Sequence, residues 1–207
     1  MPLLLATAEG GRQPVNLLNY AKHYDSILSG DNGGYNVLSD HPNIVLIGFM
    51  GVGKSRIAQN LARRLSLKQI ETDDLIVERE GMPIEQIFAT KGEPYFRDSE
   101  SAVVRGLEDE RALVISCGGG VALRPENVRS LKKNGTIIWL TASPQTIFER
   151  VRHATHRPIL NQDMSVDFIS SLMEGRLPYY ESAADLQIST DGKSVEEIGE
   201  EIIHALV

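Results

Sequence analysis

The sequence predicts an α/β protein with a five-stranded parallel sheet and helices on both faces. Short apolar runs alternate with amphipathic segments from residue 43 to the C-terminus, which is typical of successive βαβ units. A glycine-rich loop follows the first of these runs and precedes a helical pattern. At 207 residues, the chain is long enough for one sizeable domain of this kind with a short appendage.

Composition and charge exclude several classes of function. With 42% hydrophobic and 24% charged residues, the chain resembles an ordinary globular protein. A net charge of −7 argues against a nucleic-acid-binding protein, and no apolar run approaches the length of a membrane span. Cys117 is the one cysteine, which excludes an internal disulfide and fits a reducing compartment. We therefore expect a cytoplasmic protein that binds neither nucleic acid nor membrane.

Residues 1–42 precede the first core strand and are expected to form an N-terminal extension. The apolar start lacks a basic region and is too short for a secretory signal, and acidic residues argue against a transit peptide. Apolar residues at helical spacing between Val15 and Leu28 predict a helix that ends at the glycine-rich stretch 29–34. Such a helix either docks on its own domain or serves as a self-association or regulatory surface.

The first strand, Ile44–Ile47, leads into the sequence Gly-Phe-Met-Gly-Val-Gly-Lys-Ser at residues 48–55, and a helical pattern follows from Ile57. Glycine at these spacings lets successive backbone N–H groups converge on one anion at a helix N-terminus. The lysine then reaches the β- and γ-phosphates of a nucleotide, and the serine hydroxyl ligates Mg²⁺. The candidate nucleotide-binding residues here are Gly48, Gly51, Val52, Gly53, Lys54, Ser55 and Arg56.

Residues 68–74 are expected to form a short second strand that ends in acidic residues. Ligands gather at the carboxyl ends of parallel strands, so these acids are placed near the glycine-rich loop. Asp73 or Asp74 alternatively caps a helix, since a periodic run follows directly. Beyond the break at Gly81–Pro83, we expect a short helix over 83–89 and a longer one over 94–110, separated at Lys91–Gly92.

A third strand, residues 112–117, leads into three consecutive glycines, Gly118–Gly120. A triple glycine at a strand end indicates either a close approach of the backbone to something or a flexible turn, and the pattern alone leaves both open. Cys117 is expected to be a small core residue rather than a nucleophile.

The C-terminal part continues the alternation of helices and strands. We expect a helix over 125–133, a strand over 136–140 and a helix that begins at Ser143–Pro144. A helix over 166–180, interrupted near Leu177–Pro178, and a strand over 185–189 follow. The capping box Ser194–Glu197 opens the last amphipathic helix.

Residues 150–163 differ in amino-acid composition from the surrounding sequence. They contain Arg150, Arg152 and Arg157 together with histidines, and few core residues. In an acidic protein that already carries a phosphate loop, this pattern favours a mobile basic lid that folds over phosphates, although a solvated loop is the alternative.

These signals together favour a kinase that acts on a small acceptor. The guanine-reading Asn-Lys-x-Asp segment of switch GTPases is absent from the sequence. A small-acceptor kinase needs a phosphate nest, Mg²⁺, an acid that orients the acceptor hydroxyl, cations for the acceptor and a lid that excludes water. The chain offers a candidate for each of these parts.

Motifs spread over residues 43–207 resemble those of shikimate kinases. In order, they are the phosphate loop, Glu71-Thr72-Asp73, Ile87-Phe88-Ala89, Gly92-Glu93, Phe96-Arg97, Gly118-Gly119-Gly120-Val121, Arg157-Pro158-Ile159-Leu160, Arg176 and Pro178-Tyr179-Tyr180. The resemblance implies a three-layer P-loop fold like that of nucleoside monophosphate kinases. It also implies transfer of the γ-phosphoryl group of ATP, with Mg²⁺, to the 3-hydroxyl of shikimate, a step towards chorismate and the aromatic amino acids. Because related kinases are often monomeric, a monomer is expected.

The resemblance also implies roles for individual residues. Asp73 contacts the shikimate hydroxyls, as orienter first and proton acceptor second, and Lys54 and Arg157 act with it in catalysis. Arg157 reaches the phosphates from the lid, and Arg150 lies near adenine. The residues implied to contact the acceptor are Asp73, Arg97, Gly118, Gly119, Gly120 and Arg176.

One motif departs from the usual family pattern. Shikimate kinases usually carry Asp-x-Asp after the second strand, where this chain has Glu71-Thr72-Asp73. The first acid helps to hold Mg²⁺ through water, alongside Ser55. Because Glu is one methylene longer, Glu71 either still reaches a metal-bound water or displaces the ion.

Two other functions remain open from the sequence. A kinase for a different metabolite, such as gluconate, shares the phosphate nest but does not need Arg97, Gly118–Gly120 and Arg176. A regulatory module that binds nucleotide without turnover also shares the nest, and would use the N-terminal helix as its interaction surface.

Overall fold

The computed structural model describes residues 42–152 and 165–206, which form a five-stranded parallel sheet with helices on both faces. The strands are β1 (Asn43–Ile47), β2 (Lys68–Glu71), β3 (Leu113–Ser116), β4 (Gly135–Thr141) and β5 (Leu186–Ser189), in the spatial order β2-β3-β1-β4-β5. The helices are α1 (Lys54–Leu65), α2 (Thr72–Glu80), α3 (Ile84–Gly106), α4 (Pro125–Lys133), α5 (Pro144–Val151), α6 (Val166–Ala183) and α7 (Val195–Leu206). The predicted fold class is confirmed.

The central strand β1 contributes to two hydrophobic cores. Ile44 and Leu46 pack with residues of α1 and α7 on one face, whereas Val45 and Ile47 pack with residues of α3 and α4 on the other. Every residue of β1 is buried, because helices cover both faces of the parallel sheet. Since β1 and β3 are paired neighbours, the loops that follow them emerge side by side at the carboxyl edge of the sheet.

A third, smaller core joins α2 to α3 beside this edge. It consists of Ile76, Ile87, Phe96 and Val103, with further apolar side chains packed against it. Within α3, Gly92 has φ 81° and ψ 170°, so the helix is kinked there, and the predicted separation of two helical segments at this glycine is confirmed. The helical part of α3 ends at Gly106, four residues before the predicted end at Glu110.

The prediction for the second strand was wrong at its end. β2 stops at Glu71, where its last pairing is with Ser116 at the end of β3, so the ladder has no further partner. Asp73 and Asp74 instead lie in the first turn of α2, where negative charge favours a helix N-terminus. Glu71 occupies the N-cap position without a side-chain cap, so neither aspartate is the cap.

The predicted interruption of α6 near Leu177–Pro178 was also wrong. The helix continues through Pro178 as far as Ala183. A proline inside a helix removes one backbone hydrogen bond. Tyr180 and Ala183, beyond the proline, are buried in the core against β4, and this packing outweighs the lost bond.

The two predicted helix starts in the C-terminal part are confirmed. The Ser143 hydroxyl accepts a hydrogen bond from the Thr146 N–H at the start of α5. At the start of α7, the Ser194 N–H donates to the Glu197 carboxylate and the Glu197 N–H donates to the Ser194 hydroxyl, which is a complete capping box. The helix predicted between Val15 and Leu28 lies outside the described residues, as do the lid residues 153–164.

In the two described ranges, no helix has the length and apolar character needed to cross a membrane.

Candidate active site

The glycine-rich loop between β1 and α1 adopts the backbone conformation expected of a phosphate nest. Gly48, Gly51 and Gly53 have φ values of 140°, 80° and 101°, in the region that favours glycine. A Cβ at Gly48 would overlap the carbonyl of Leu140, and one at Gly51 would overlap the side chain of Val151. The loop therefore requires glycine for space as well as for φ, and it lines a cavity of about 870 Å³ at the N-terminus of α1.

Lys54 lies at the first position of α1 and folds back over this loop. Its Nζ donates hydrogen bonds to the carbonyl oxygens of Gly48, at 2.8 Å, and Phe49, at 3.0 Å. Val52, Ser55 and the exposed Arg56 line the same cavity. The predicted nucleotide residues 51–56 therefore form one wall around the start of α1, and Gly48 contacts Lys54 Nζ through its carbonyl.

Ser55 and Glu71 meet on the wall of this cavity. The Ser55 Oγ donates to Glu71 Oε2 at 3.0 Å, and Gln69 Nε2 donates to the other carboxylate oxygen at 2.7 Å. A hydroxyl and a carboxylate are oxygen ligands of the kind that Mg²⁺ prefers, so the residues present fit this ion. The described residues contain no group of three or more Asp, Glu, His or Cys that would hold a metal alone. A site with few protein ligands suits Mg²⁺, which usually binds through one or two of them plus phosphates and water.

Arg150, near the end of α5, ties the phosphate loop to the segment after β5. Its guanidinium donates to the carbonyl of Val52 at 3.2 Å, and to the hydroxyl and carbonyl of Thr190 at 3.0 and 3.1 Å. The cavity continues past this arginine to residues 193–196 at the start of α7. Sequence reasoning identified Arg150 but missed Thr190, which carries no motif. It recognised Ser194–Glu197 only as a helix cap and not as part of the cavity wall.

A second cavity, of about 680 Å³, adjoins the first. Met50, Asp73, Gly118 and Gly119 line both cavities, so the two spaces meet at the Asp73 side chain. The second cavity is otherwise bounded by α2, α3, the triple glycine and α6. Its lining includes the predicted acceptor residues Asp73, Arg97, Gly118, Gly119, Gly120 and Arg176.

Asp73 lies between the two cavities and is exposed towards them. The concave protein wall limits hydration of its carboxylate, and this desolvation raises the pKa of Asp73 above its usual value. The positive charge of Lys54 opposes that rise, while the neighbouring carboxylates of Glu71 and Asp74 add to it. A raised pKa suits a group that must take up a proton during the reaction.

Arg97 is held by acidic residues of its own helix, α3. Its guanidinium donates to Glu93 at 3.0 and 3.2 Å and to Glu100 at 3.0 Å. Glu100 is 0% exposed, and its Oε1 has no hydrogen-bond partner within the described ranges. Burial raises the pKa of Glu100, and the charge of Arg97 opposes this rise. Sequence reasoning missed Glu100, although its i+3 spacing from Arg97 places the two on one helix face.

The triple glycine leaves room for charged side chains. A Cβ on Gly118 would lie 2.7 Å from Asp73 Oδ1, and one on Gly120 would fall inside the guanidinium of Arg97. The Gly118 N–H also donates to the hydroxyl of Thr72 at 3.0 Å. The sequence left open whether the triple glycine is a flexible turn or a close approach of the backbone to other groups. The structure shows a close approach, because side chains of the site occupy the space beside the backbone.

Two side chains of α6 converge on the same loop. Arg176 Nη1 donates to the carbonyl of Gly119 at 3.2 Å, and the guanidinium lies 5.4 Å from the centre of the Phe49 ring. The hydroxyl of Tyr180 donates to the same Gly119 carbonyl. Tyr180 was part of a recognised motif, but nothing in the pattern indicated this contact.

The sequence also carried predictions for Cys117 and Arg157. Cys117 is buried beneath the loop and desolvation raises the pKa of its thiol, as expected of a core residue rather than a nucleophile. Arg157 lies outside the described residues, so its position relative to either cavity stays a prediction.

Comparison with known proteins identifies relatives of this arrangement. The shikimate kinase family model matches residues 50–207. A shikimate kinase of Geobacter metallireducens is 44% identical over 160 residues, covering 77% of this chain and 89% of the relative. One from Thermodesulfovibrio yellowstonii is 42% identical over 161 residues, covering 78% of this chain and 92% of the relative.

A solved structure gives the same result. Shikimate kinase from Acinetobacter baumannii in complex with shikimate superposes with a TM-score of 0.77 at 28% identity, covering 82% of this chain and 94% of that one. The family model extends over both cavities, since residues 50–207 include every residue that lines them. This chain belongs to the shikimate kinase family.

Proposed function

We infer that this chain transfers the γ-phosphoryl group of ATP to the 3-hydroxyl of shikimate, giving shikimate 3-phosphate and ADP. The observation that carries this inference is the meeting of two cavities at Asp73, one walled by the phosphate loop and the other by two arginines. Phosphoryl transfer needs the attacking and leaving oxygens in line, so donor and acceptor must occupy adjoining spaces. Family membership supplies the identity of the acceptor and places the reaction in the synthesis of chorismate and the aromatic amino acids.

On the donor side, the phosphate loop binds the nucleotide phosphates through its backbone. Lys54 exchanges its two carbonyl partners for the β- and γ-phosphates, which are stronger acceptors because they are charged. Ser55 and Glu71 would hold Mg²⁺, Ser55 through its hydroxyl and Glu71 through its carboxylate. The ion neutralises the charge that develops on the phosphate oxygens.

On the acceptor side, Arg97 and Arg176 bind the carboxylate of shikimate. Guanidinium groups match a carboxylate in a bidentate manner, and these two project from different helices, α3 and α6. Two fixed directions of attachment set the orientation of the ring as well as its position. Gly118–Gly120 let the backbone approach the ring, and a side chain at Gly118 or Gly120 would displace Asp73 or Arg97.

Asp73 orients the 3-hydroxyl towards the donor cavity and accepts its proton. Orientation is its larger contribution, because the loose transition state of phosphoryl transfer needs little help from a strong base. The carboxylate must be ionised for either task. We assign Arg157 to the developing phosphate charge and Arg150 to the adenine region, from the sequence motifs that contain them.

We further propose that the chain acts in the cytoplasm as a monomer. As the single cysteine, Cys117 has no partner for an internal disulfide, which suits a reducing compartment, and the resemblance of the motifs implies a single chain. Self-association through residues 1–42 is the alternative. Sedimentation of the full chain and of a chain lacking residues 1–40 tests it. We expect both to be monomers. An oligomer that forms only when residues 1–40 are present would identify the extension as the contact.

A coupled assay of ADP release tests the function directly. Shikimate, gluconate and quinate are offered as acceptors at the same ATP and Mg²⁺ concentrations, and we expect rapid ADP release with shikimate alone. Nucleotide binding without shikimate-dependent ADP release would contradict the proposal and favour a regulatory module. Faster turnover of gluconate would instead favour a kinase for another metabolite.

A further inference from the structure

The carbonyl of Gly119 receives two hydrogen bonds from one helix. Arg176 Nη1 and the Tyr180 hydroxyl both donate to it, from positions one turn apart on α6. Under the proposed function, Arg176 must also bind the carboxylate of the acceptor. A charged carboxylate is a stronger acceptor than a peptide carbonyl, so Arg176 will turn towards it when the acceptor binds. The carbonyl then depends on Tyr180.

Tyr180 is well suited to remain in place. Its side chain is only 3% exposed, and its ring stacks on Trp139 of β4 with the ring centres 5.9 Å apart. Burial raises the pKa of its hydroxyl, which therefore stays protonated and able to donate at neutral pH. The contact is thus fixed by the sheet through Trp139 rather than by the acceptor.

The orientation of the Gly119 carbonyl matters for the acceptor cavity. A trans peptide is planar with its C=O and N–H pointing in opposite directions, so fixing the Gly119 oxygen also fixes the N–H of Gly120. Glycine allows many backbone conformations, and three in succession would leave this wall poorly defined without an external contact. Tyr180 itself does not line the acceptor cavity.

We propose that Tyr180 is a positioning residue for the acceptor: its hydroxyl holds the Gly119 carbonyl, which frees Arg176 to bind the acceptor carboxylate. The inference rests on the proposed function of the site. It predicts that loss of this hydroxyl makes Arg176 and the acceptor compete, because the carbonyl then retains the guanidinium. Acceptor binding should weaken while ATP binding and the chemical step stay the same.

The test compares Tyr180→Phe with Tyr179→Phe. Both remove one phenolic hydroxyl, but Tyr179 is exposed at 44% and lies outside both cavities. For Tyr180→Phe, we expect the KM and calorimetric Kd for shikimate to rise about threefold to tenfold, the range for one hydrogen bond. The ATP KM and kcat should stay within about twofold of wild type. Tyr179→Phe should match wild type in every constant.

A double-mutant cycle with Arg176→Lys separates positioning from packing. If Tyr180 acts through Arg176, Tyr180→Phe will change shikimate affinity less in the Arg176→Lys background than in wild type. Equal effects in both backgrounds, or identical shikimate constants for the two tyrosine variants, would overturn the inference. So would a parallel change of kcat and both KM values with a lowered thermal midpoint, since this indicates a packing role.

The same measurements distinguish this inference from the proposed function. A wild-type chain that neither binds shikimate nor releases ADP with it contradicts the proposed function, and this inference with it. An active wild type whose Tyr180→Phe variant has unchanged shikimate affinity contradicts only the role of Tyr180.

Discussion

The donor and acceptor halves of the site are built in different ways. The centre of the donor half is one contiguous segment, residues 48–55, whose glycine conformations and lysine contacts are local to the loop. Distant residues such as Glu71 and Arg150 add contacts at its edges. The acceptor half brings together side chains from α2, α3 and α6 and the loop after β3. Its charged groups depend on partners from these elements, such as Glu100 for Arg97 and the Gly119 carbonyl for Arg176.

The two halves are therefore vulnerable to different substitutions. A backbone nest tolerates few substitutions of its glycines, but it needs little support from distant residues. A discontinuous site is sensitive to every element that orients it, including residues that never touch the substrate. The two halves should therefore fail separately, and the following variants test that separation.

The largest effect is expected in the donor half. Lys54→Ala removes the cation that we propose for the transferred phosphate, and we expect kcat to fall by about 10³-fold or more. Shikimate binding measured by calorimetry should stay close to wild type, because the acceptor cavity is unchanged. Lys68→Ala, at an exposed position of β2, is the matched control. Near-normal turnover in Lys54→Ala would contradict the assignment of the phosphate loop.

The next effect is expected where the halves meet. Asp73→Asn should lower kcat by about 10²-fold, because the carboxylate that orients the acceptor hydroxyl and accepts its proton is lost. In wild type the rate should fall as the pH drops through the pKa of Asp73, which lies above its ordinary value of 3.8. Below that pKa the carboxyl is protonated and inactive, and above it the carboxylate is available, so the rate rises with pH. A wild-type acid limb that persists unchanged in Asp73→Asn would contradict this role.

Asp74→Asn tests the assignment of the acid limb to Asp73. The Asp74 charge raises the pKa of Asp73, so removing it should shift the acid limb of the rate profile to lower pH. We expect kcat at neutral pH to stay near wild type. An acid limb at the same pH as in wild type would mean that a group other than Asp73 controls the rate there.

A smaller effect is expected from the acceptor half. Arg97→Ala should raise the shikimate KM about 10-fold or more, since a charged hydrogen bond contributes about 1.5–3 kcal/mol. The ATP KM should not change, which is the converse of Lys54→Ala. Arg105→Ala, in the exposed last turn of α3, is the control. An unchanged shikimate KM would remove Arg97 from the acceptor site.

The smallest effect is expected at Glu71. If this carboxylate holds Mg²⁺ only through water, Glu71→Ala should raise the Mg²⁺ concentration needed for half-maximal rate about threefold to fivefold, the size of one modest polar contact. Shikimate KM should be unaffected, and Glu78→Ala on the exposed side of α2 is the control. Loss of all Mg²⁺-dependent activity would instead indicate direct ligation.

The fold class and the phosphate loop of the donor half were predictable from the sequence. Alternating apolar runs and helical patterns specify a covered parallel sheet, and the glycine spacing within eight consecutive residues predicts a phosphate nest. The helix caps at Ser143 and Ser194 were predictable for the same reason, since each depends on neighbours within one turn.

The way in which the acceptor half is held together depends on tertiary packing. The contact between Tyr180 and the Gly119 carbonyl depends on the packing of α6 beside the loop after β3. The spacing of Arg97 and Glu100 on α3 is local, but the full burial of Glu100 depends on how α3 packs against the rest of the domain. The course of α6 through Pro178 was likewise decided by burial of its last turn. Local sequence patterns carry no record of such contacts, because residues far apart in the chain become neighbours only when the sheet and its helices assemble.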